Sequence, residues 1–380
     1  MFINYFFIIT ELPLNFIYDA SDQGLTSIPT DIPFYTLELY LKGNDITNIP
    51  ESALQHLGCL TKLNLGDNDI TSIDPNALAG LISLKTFDLR KNSMTTLPDN
   101  LFSRLTNVES IILALNDLMD LPSDIFNALS NLNHLDIGNN DLSLIPPDLF
   151  SGLTNLRNLY LYGNDISSFD IGTFSGLVSI NTLSLQNNAL TDIPLGLLSD
   201  MVNLRTLLLS DNNLASLHPD AFLGLASVQY ITLHNNNLDL PNLANTVFSD
   251  LVNLNTLTLY GNDGQTLNPR LLSSQHGSIE LGLSNPRRTD DDLWDCPYLC
   301  WLKEKELVGD VTWGQLQASS TQPECANGID WNTLDPTDPQ QCAGNFVHQK
   351  AFLNVFIISV SMSFISLKLL PEDLHKRKTY

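Results

Sequence analysis

The chain has 380 residues, 43% of them hydrophobic, with 42 acidic against 18 basic side chains and a formal net charge of −24. A chain of this length can bury a large core in one extended unit, and no second globular domain is needed to account for it. The negative balance argues against nucleic acid as a partner, because phosphates call for a basic face; it reads as a solvated acidic shell, with a dedicated site for a basic ligand as the alternative.

Residues 1–24 form a signal-like N-terminal segment. Met1 to Ile9 is apolar apart from Asn4 and Tyr5, but no Lys or Arg precedes the run. Tyr18-Asp19-Ala20 lacks the small residue that a cleavage site wants three positions upstream. Two readings stand, a working signal, or a truncated or misassigned start.

From Leu25 onward the sequence is periodic. Leu60, Leu63, Leu65, Asn68, Ile70, Ile73, Pro75, Leu78 and Leu81 make one period, and Leu84 opens the next. The asparagine recurs every 24 residues, at Asn44, Asn68, Asn92, Asn116, Asn140, Asn164, Asn188, Asn212 and Asn236, and once more at Asn262 after a step of 26. Leu63-x-Leu65 alternates like a strand with one buried face, and the run from Ile70 to Leu81 turns back over the same core. One turn alone cannot bury its leucines, so the turns stack into a solenoid in which each leans on its neighbours. The asparagine stands where the chain bends away from the strand, and its amide can serve backbone groups that the bend leaves unpaired. The ten asparagines are therefore expected to form a buried structural ladder and not a binding site.

These residues resemble the leucine-rich repeat family, in the 24-residue form of Toll-like receptor, Slit and lamprey variable lymphocyte receptor ectodomains. L-x-x-L-x-L-x-x-N recurs in phase, and Phe102, Phe126, Phe150, Phe174 and Phe222 hold one convex position. The likeness runs from Leu25 to Cys342. It implies an α/β fold: a right-handed solenoid, or horseshoe, with a parallel sheet on its concave face and about ten repeats over residues 36–262. Strands are expected to start near Thr36, Leu60, Leu84, Val108, Leu132, Leu156, Ile180, Leu204, Val228 and Leu254, with short helical turns or extended pieces on the convex side. Gly24-Leu25-Thr26-Ser27-Ile28-Pro29 resembles the end of the family's N-terminal cap, yet Ala20 stands where that cap carries its last cysteine. Residues 25–35 thus read as a cysteine-less cap remnant that packing alone must hold.

The two extra residues after Asn236 fall between Asp239 and Asn245, as a tolerated insertion or a functional protrusion. Residues 263–345 read as a C-terminal cap, in which Ile279-Glu280-Leu281 is a last degenerate strand. Trp294, Trp301, Trp313 and Trp331 would cover the open end of the core there. Cys296, Cys300, Cys325 and Cys342 cluster in this region and allow three pairings. A zinc site is the competing reading, although steps of 25 and 17 after Cys300 fit metal spacings poorly. The resemblance to the cysteine-rich caps of extracellular leucine-rich repeat proteins implies Cys296–Cys325 and Cys300–Cys342 disulfides, and with them an oxidising compartment. Cys59 is left over and is expected to be a partly buried, inert thiol. Residues 346–370 read as a transmembrane segment, because Ala351 to Leu367 is uncharged and lies between Lys350 and Lys368. The tail over 371–380, with His375-Lys376-Arg377-Lys378, obeys the positive-inside rule. A lipid anchor is the alternative, although its signal would end in the apolar tail.

No H-E-x-x-H, G-x-S-x-G or phosphate-binding Gly-rich loop occurs, so no enzyme, cofactor or metal is expected. Asp290 to Asp292 lacks the spaced carboxylates and turn glycine of a calcium loop. No Asn-x-Ser/Thr sequon occurs either, so no glycan shield is expected. The informative surface is the concave one, where residues between the buried leucines point outward. Its columns read Glu38, Tyr40, Lys42, Lys62, Asn64, Asp67, Asp88, Arg90 and Lys91 in the first three repeats. They continue with His134, Asp136, Asn158, Tyr160, Tyr162, Gln186, Asp211, Tyr230, Thr232, His234, Thr258 and Tyr260. Five acids face four bases, so the acidity of the chain is kept off this face. Tyrosines among small polar neighbours suit protein binding, although tyrosine also simply suits exposed strands. Tyr160, Tyr162, Tyr230, His234 and Tyr260 are the expected ligand contacts, with Lys42, Lys62, Arg90 and Lys91 tuning association rate. The expected function is a membrane-anchored, single-pass type I recognition or adhesion ectodomain at the cell surface, which binds a protein or, second, a glycan. The alternative is an intracellular leucine-rich repeat inhibitor or scaffold.

Overall fold

The computed structural model describes residues 16–264, Leu271 and the backbone of two further strands. All of these lie in one of the chain's two compact units, the unit made of residues 1–292 and 309–321. The strands are β1 (Ile17–Asp19), β2 (Glu38–Tyr40), β3 (Asn48–Ile49), β4 (Lys62–Asn64), β5 (Ser72–Ile73), β6 (Thr86–Asp88), β7 (Ser110–Ile112) and β8 (His134–Asp136). They continue as β9 (Asn158–Tyr160), β10 (Thr182–Ser184), β11 (Thr206–Leu208), β12 (Tyr230–Thr232), β13 (Thr256–Thr258), β14 (Ile279–Gly282) and β15 (Val311–Trp313). β3 and β5 pair with each other, and the other thirteen form one parallel sheet in strict chain order. The register follows the repeat: Leu39, Leu63, Phe87, Ile111, Leu135, Leu159, Leu183, Leu207, Ile231 and Leu257 stack strand on strand with their side chains inward. This is a solenoid of about ten turns.

Each strand starts two residues later than the sequence predicts, for a local reason. The leading leucine of the motif closes the preceding turn, as when the Leu60 and Leu84 amides donate to the carbonyls of Leu57 and Leu81. The sheet also begins one strand earlier than predicted. β1 pairs with β2, the Leu37 amide donates to the Phe16 carbonyl, and the Phe16 and Tyr35 rings meet edge to face at 4.8 Å. The amides of Gln23 and Leu25 both donate to Asn44 Oδ1 at 2.9 Å, so the asparagine ladder extends into this first turn.

The convex side consists of turns, with no α-helix among the described residues. Inside it Phe102 and Phe126, Phe150 and Phe174, and Phe222 and Phe248 stack in pairs at 5.9 Å. Phe248 was missed in the sequence because the two extra residues displace it from the 24-residue phase. Those residues are absorbed by a 3-10 turn, Leu240–Asn242, whose Leu240 is buried in the core, so they form part of the packed turn rather than a protrusion.

The ladder asparagines serve the backbone at every turn. Asn68 Nδ2 donates to the carbonyls of Leu41, Leu65 and Gly66, and its Oδ1 accepts from the Ile46 amide. A second, exposed ladder runs along the opposite bend: Asn107, Asn131, Asn155, Asn203 and Asn253 each donate to a carbonyl of the preceding turn at 2.8–2.9 Å. Between strand and ladder, one residue per turn is left-handed. Gly43, Gly163 and Gly261 suit it, as do Asp67, Asn139, Asn187, Asp211 and Asn235 with their short polar side chains, but Lys91 (φ 54°) and Leu115 (φ 61°) hold it without that local help. Leu115→Asn is expected to stabilise by about 0.5–1 kcal/mol, part of the left-handed cost that a side chain without local hydrogen bonds carries, read as a higher denaturant midpoint; a lower midpoint would refute it. Leu115 is 41% exposed, so little burial is lost.

Cys59 is exposed and its thiol is free, which corrects the expectation of a partly buried one. It sits in the turn before β4, where only the flanking Leu57 and Leu60 point into the core. The Cys296–Cys325 and Cys300–Cys342 pairs, the acidic run Asp290 to Asp292, the signal-like run Met1 to Ile9 and the apolar run Ala351 to Leu367 lie outside the described residues. Among the described residues, no helix is long and apolar enough to cross a membrane.

Candidate functional site

The outward face of the long sheet has two aromatic clusters, and both arise from the strand period. Residues two apart on a strand point the same way, and equivalent residues on neighbouring strands stand about 4.8 Å apart. In the first cluster Asp136 and Tyr160 are register partners on β8 and β9, as are His134 and Asn158. The His134 and Tyr160 rings lie 5.4 Å apart, and Tyr162 meets Tyr160 edge to face at 6.4 Å. Tyr162 lies back over β8 because Gly138 has no side chain; a Cβ there would collide with the ring. Toward β6 the floor continues through Ala114 and Ile112, and Arg90 rises beyond it, its Nε 3.0 Å from both oxygens of the buried Asp88 carboxylate.

Asp136 sits between these walls. It accepts one hydrogen bond, from the Gly138 amide at 3.0 Å, and makes no ion pair within 4.0 Å among the described residues. Burial pushes its carboxyl pKa up, against the pull of the Gly138 amide, His134 and Arg90. Burial also pushes the His134 pKa down, against the raising effect of the Asp136 charge. Tyr160 and Tyr162 are both raised, by burial first and by the Asp136 charge second. One strand past Tyr160 in the same column, the Ser184 hydroxyl is buried without a hydrogen-bond partner among the described residues.

The second cluster lies around β12 and β13. His234 stacks on Tyr260 at 4.3 Å with 21° between the planes. Its Nδ1 is 2.8 Å from Thr258 Oγ1, and its Nε2 is 3.8 Å from Asp211 Oδ2. Burial lowers its pKa against the raising effect of Asp211. Tyr230 stands in the same sheet column as Thr206 and Thr256. Four of the five predicted contacts therefore fall in two pairs, Tyr160 with Tyr162 and His234 with Tyr260, while Tyr230 stands at the start of β12, two columns from His234. By strand spacing Tyr160 and Tyr260 are about 19 Å apart.

The basic cluster is partly occupied by its own neighbours. Lys62 Nζ sits 4.9 Å over the Tyr40 ring, and Arg90 is held by Asp88, which keeps its guanidinium pKa high. The sequence reading placed Asp136 on the face but not among the contacts. The signal was the run of small residues Ala114 and Gly138 in a column where other repeats carry Arg90 or Tyr162. A groove of about 770 Å³ lies elsewhere, along the edge where the strands begin, lined by polar side chains that include Lys85, Glu109, Asn133 and Arg157. Its Lys85–Glu109 pair at 2.9 Å is half exposed and contributes little.

The chain belongs to the leucine-rich repeat family: the leucine rich repeat pattern matches residues 36–94, 60–118, 106–166, 155–214, 179–238 and 202–263. A stretch of 46 residues is 46% identical to the insulin-like growth factor-binding protein complex acid labile subunit of Rattus norvegicus, over 12% of this chain and 8% of that protein. Among solved structures, a chain of the TLR13-ssRNA13 complex matches with a TM-score of 0.58 and 26% identity, over 66% of this chain and 36% of that one. A chain of the octameric complex of Latrophilin 3, Unc5D and FLRT2 matches with a TM-score of 0.58 at 22% identity, over 83% of this chain and 93% of that one, a likeness of fold alone.

Proposed function

We propose that this protein is a recognition ectodomain that binds a protein ligand, or second a glycan, on its sheet face through Tyr160, Tyr162, Tyr230, His234 and Tyr260. The observation that carries the reading is the packing of these rings. Tyr160 with Tyr162, and His234 with Tyr260, are ordered against each other before any ligand arrives, so little rotamer freedom remains to be lost on binding. A span of about 19 Å suits a standard protein interface. In this reading the chain is held at the cell surface by the apolar run within 346–370, as a type I span or through a lipid anchor, and its C-terminal cysteines are oxidised as Cys296–Cys325 and Cys300–Cys342.

An intracellular inhibitor or scaffold is the second reading, favoured by Cys59, whose exposed free thiol suits a reducing compartment. Surface labelling of intact cells separates the two. Alanine scanning against a partner recovered by a surface screen tests the site: the best of the five aromatics should cost roughly 1–2 kcal/mol or more, whereas changes at Lys42 and Lys91 should mainly slow association. Binding that survives the five aromatic changes but is abolished by charge changes in the first three repeats would refute the site.

A further inference from the structure

The geometry points to the notch formed by Asp136, Tyr160 and Tyr162 as the receptor for a single basic side chain, lysine or arginine, presented by a protein partner. This inference rests on the reading of the sheet face as the binding surface and names the chemistry that surface selects.

Three observations carry it. The Asp136 carboxylate is half-buried and has only the Gly138 amide as a hydrogen-bond donor. Neither basic neighbour pairs with it: Arg90 is held by Asp88, and His134 makes no ion pair with it within 4.0 Å. A carboxylate in that position is partly desolvated and unpaired, and an incoming cation supplies the counter-charge and the hydrogen-bond donors it lacks. The second observation is the wall beside it. Asp136 and Tyr160 are register partners on adjacent strands and Tyr162 stands edge to face against Tyr160, so a guanidinium or ammonium that reaches Asp136 comes up beside aromatic rings, which attract cations. The third is the floor. Gly138 lets the Tyr162 ring lie down against the backbone, and Ala114, one strand before it in the same column, ends at a methyl group where Arg90 carries a long side chain, which leaves a path for an aliphatic stem. Charge complementarity acts at longer range as well, because a chain of net charge −24 draws a basic partner toward itself.

The His234–Tyr260 platform offers no equivalent. Its carboxylate, Asp211, already accepts from Asn235 Nδ2 at 2.7 Å and faces His234 at 3.8 Å. The two clusters thus divide the work, with the notch reading charge and the platform supplying flat aromatic area.

The test uses the full chain and N-acetyl-arginine amide carrying a photoreactive diazirine as the probe. After irradiation, digestion and mass spectrometry, crosslinks should concentrate on residues 134–138 and 160–162. Unlabelled N-acetyl-arginine amide should compete for them, and N-acetyl-citrulline amide, the neutral isostere, should not. Asp136→Asn keeps the acceptor for the Gly138 amide and so preserves the local fold; it should lower crosslinking at these positions by roughly five- to tenfold. Tyr160→Leu with Tyr162→Leu, which keeps apolar bulk and removes the ring faces, should lower it as well. Equal competition by citrulline, or an unchanged yield in Asp136→Asn with a wild-type unfolding midpoint, would overturn the notch while leaving the sheet face free to bind by other means. Arginine-selective crosslinking at the notch, together with a protein partner whose binding ignores every aromatic change on the face, would instead overturn the reading of the face on which the inference rests.

Discussion

Phe126→Ala is expected to lower the stability of the array by about 3–5 kcal/mol, the cost of removing a fully buried aromatic ring and leaving a cavity behind. The ring is 0% exposed and stacks on Phe102 at 5.9 Å with only 8° between the planes. In a stacked-turn protein each turn contacts its neighbours alone, so no distant element can move in to fill the gap. The loss should therefore be local in structure but large in effect, weakening the coupling between the turns on either side. Denaturant unfolding of purified protein checks it: the midpoint should fall, and a broadened transition would indicate that the two flanking blocks have begun to unfold separately. An unchanged midpoint and width would show that the phenylalanine spine is not what couples the turns. Phe169, 6% exposed at the margin of the same core, should cost less on the same change.

The sequence made the repeat legible because one physical requirement, burial of the same leucines in every turn, is written ten times in the same phase. Strand positions, their parallel order and the asparagine positions follow from that phase. The features it did not reveal are those without a strong residue signal of their own. β1 has Tyr18 in register with Leu39, where the later strands carry leucine, isoleucine or phenylalanine, so it falls outside the pattern although it obeys the same register. The second ladder escaped because asparagine alternates there with serine, at Ser83 and Ser227, and because its donors are exposed, where polar residues need no special explanation. Cys59 was misplaced for a similar reason, since the burial of one residue in a turn follows from its direction and not from its type. On the sheet face the columns could be read, but the notch could not. It depends on Tyr162 leaning across Gly138 and on Arg90 turning to Asp88, two choices of rotamer that no spacing encodes.

Asn140→Ala is expected to cost on the order of 1–3 kcal/mol, the range for backbone groups left buried without partners. The Asn140 amide donates to the carbonyls of Leu113, Ile137 and Gly138 at 3.0–3.3 Å, and its oxygen accepts from the Leu118 amide at 3.1 Å. Asn140 is 6% exposed, so water cannot replace what the methyl group removes. Asn131, on the exposed ladder, makes a single bond to the Thr106 carbonyl, where water can substitute, and Asn131→Ala should cost under about 1 kcal/mol. The contrast between the two asparagines in the same turn removes general effects of the residue type. The larger change should also reach the binding face: Gly138 is the floor under Tyr162, and its carbonyl is one of the groups that Asn140 holds. Hydrogen exchange in Asn140→Ala should therefore quicken first at the amides of β8 and the bend after it, through Gly138, while the strands near Tyr260 stay protected. Equal costs for the two substitutions, or exchange that rises uniformly along the array, would mean that the buried ladder does not hold the sheet face in place.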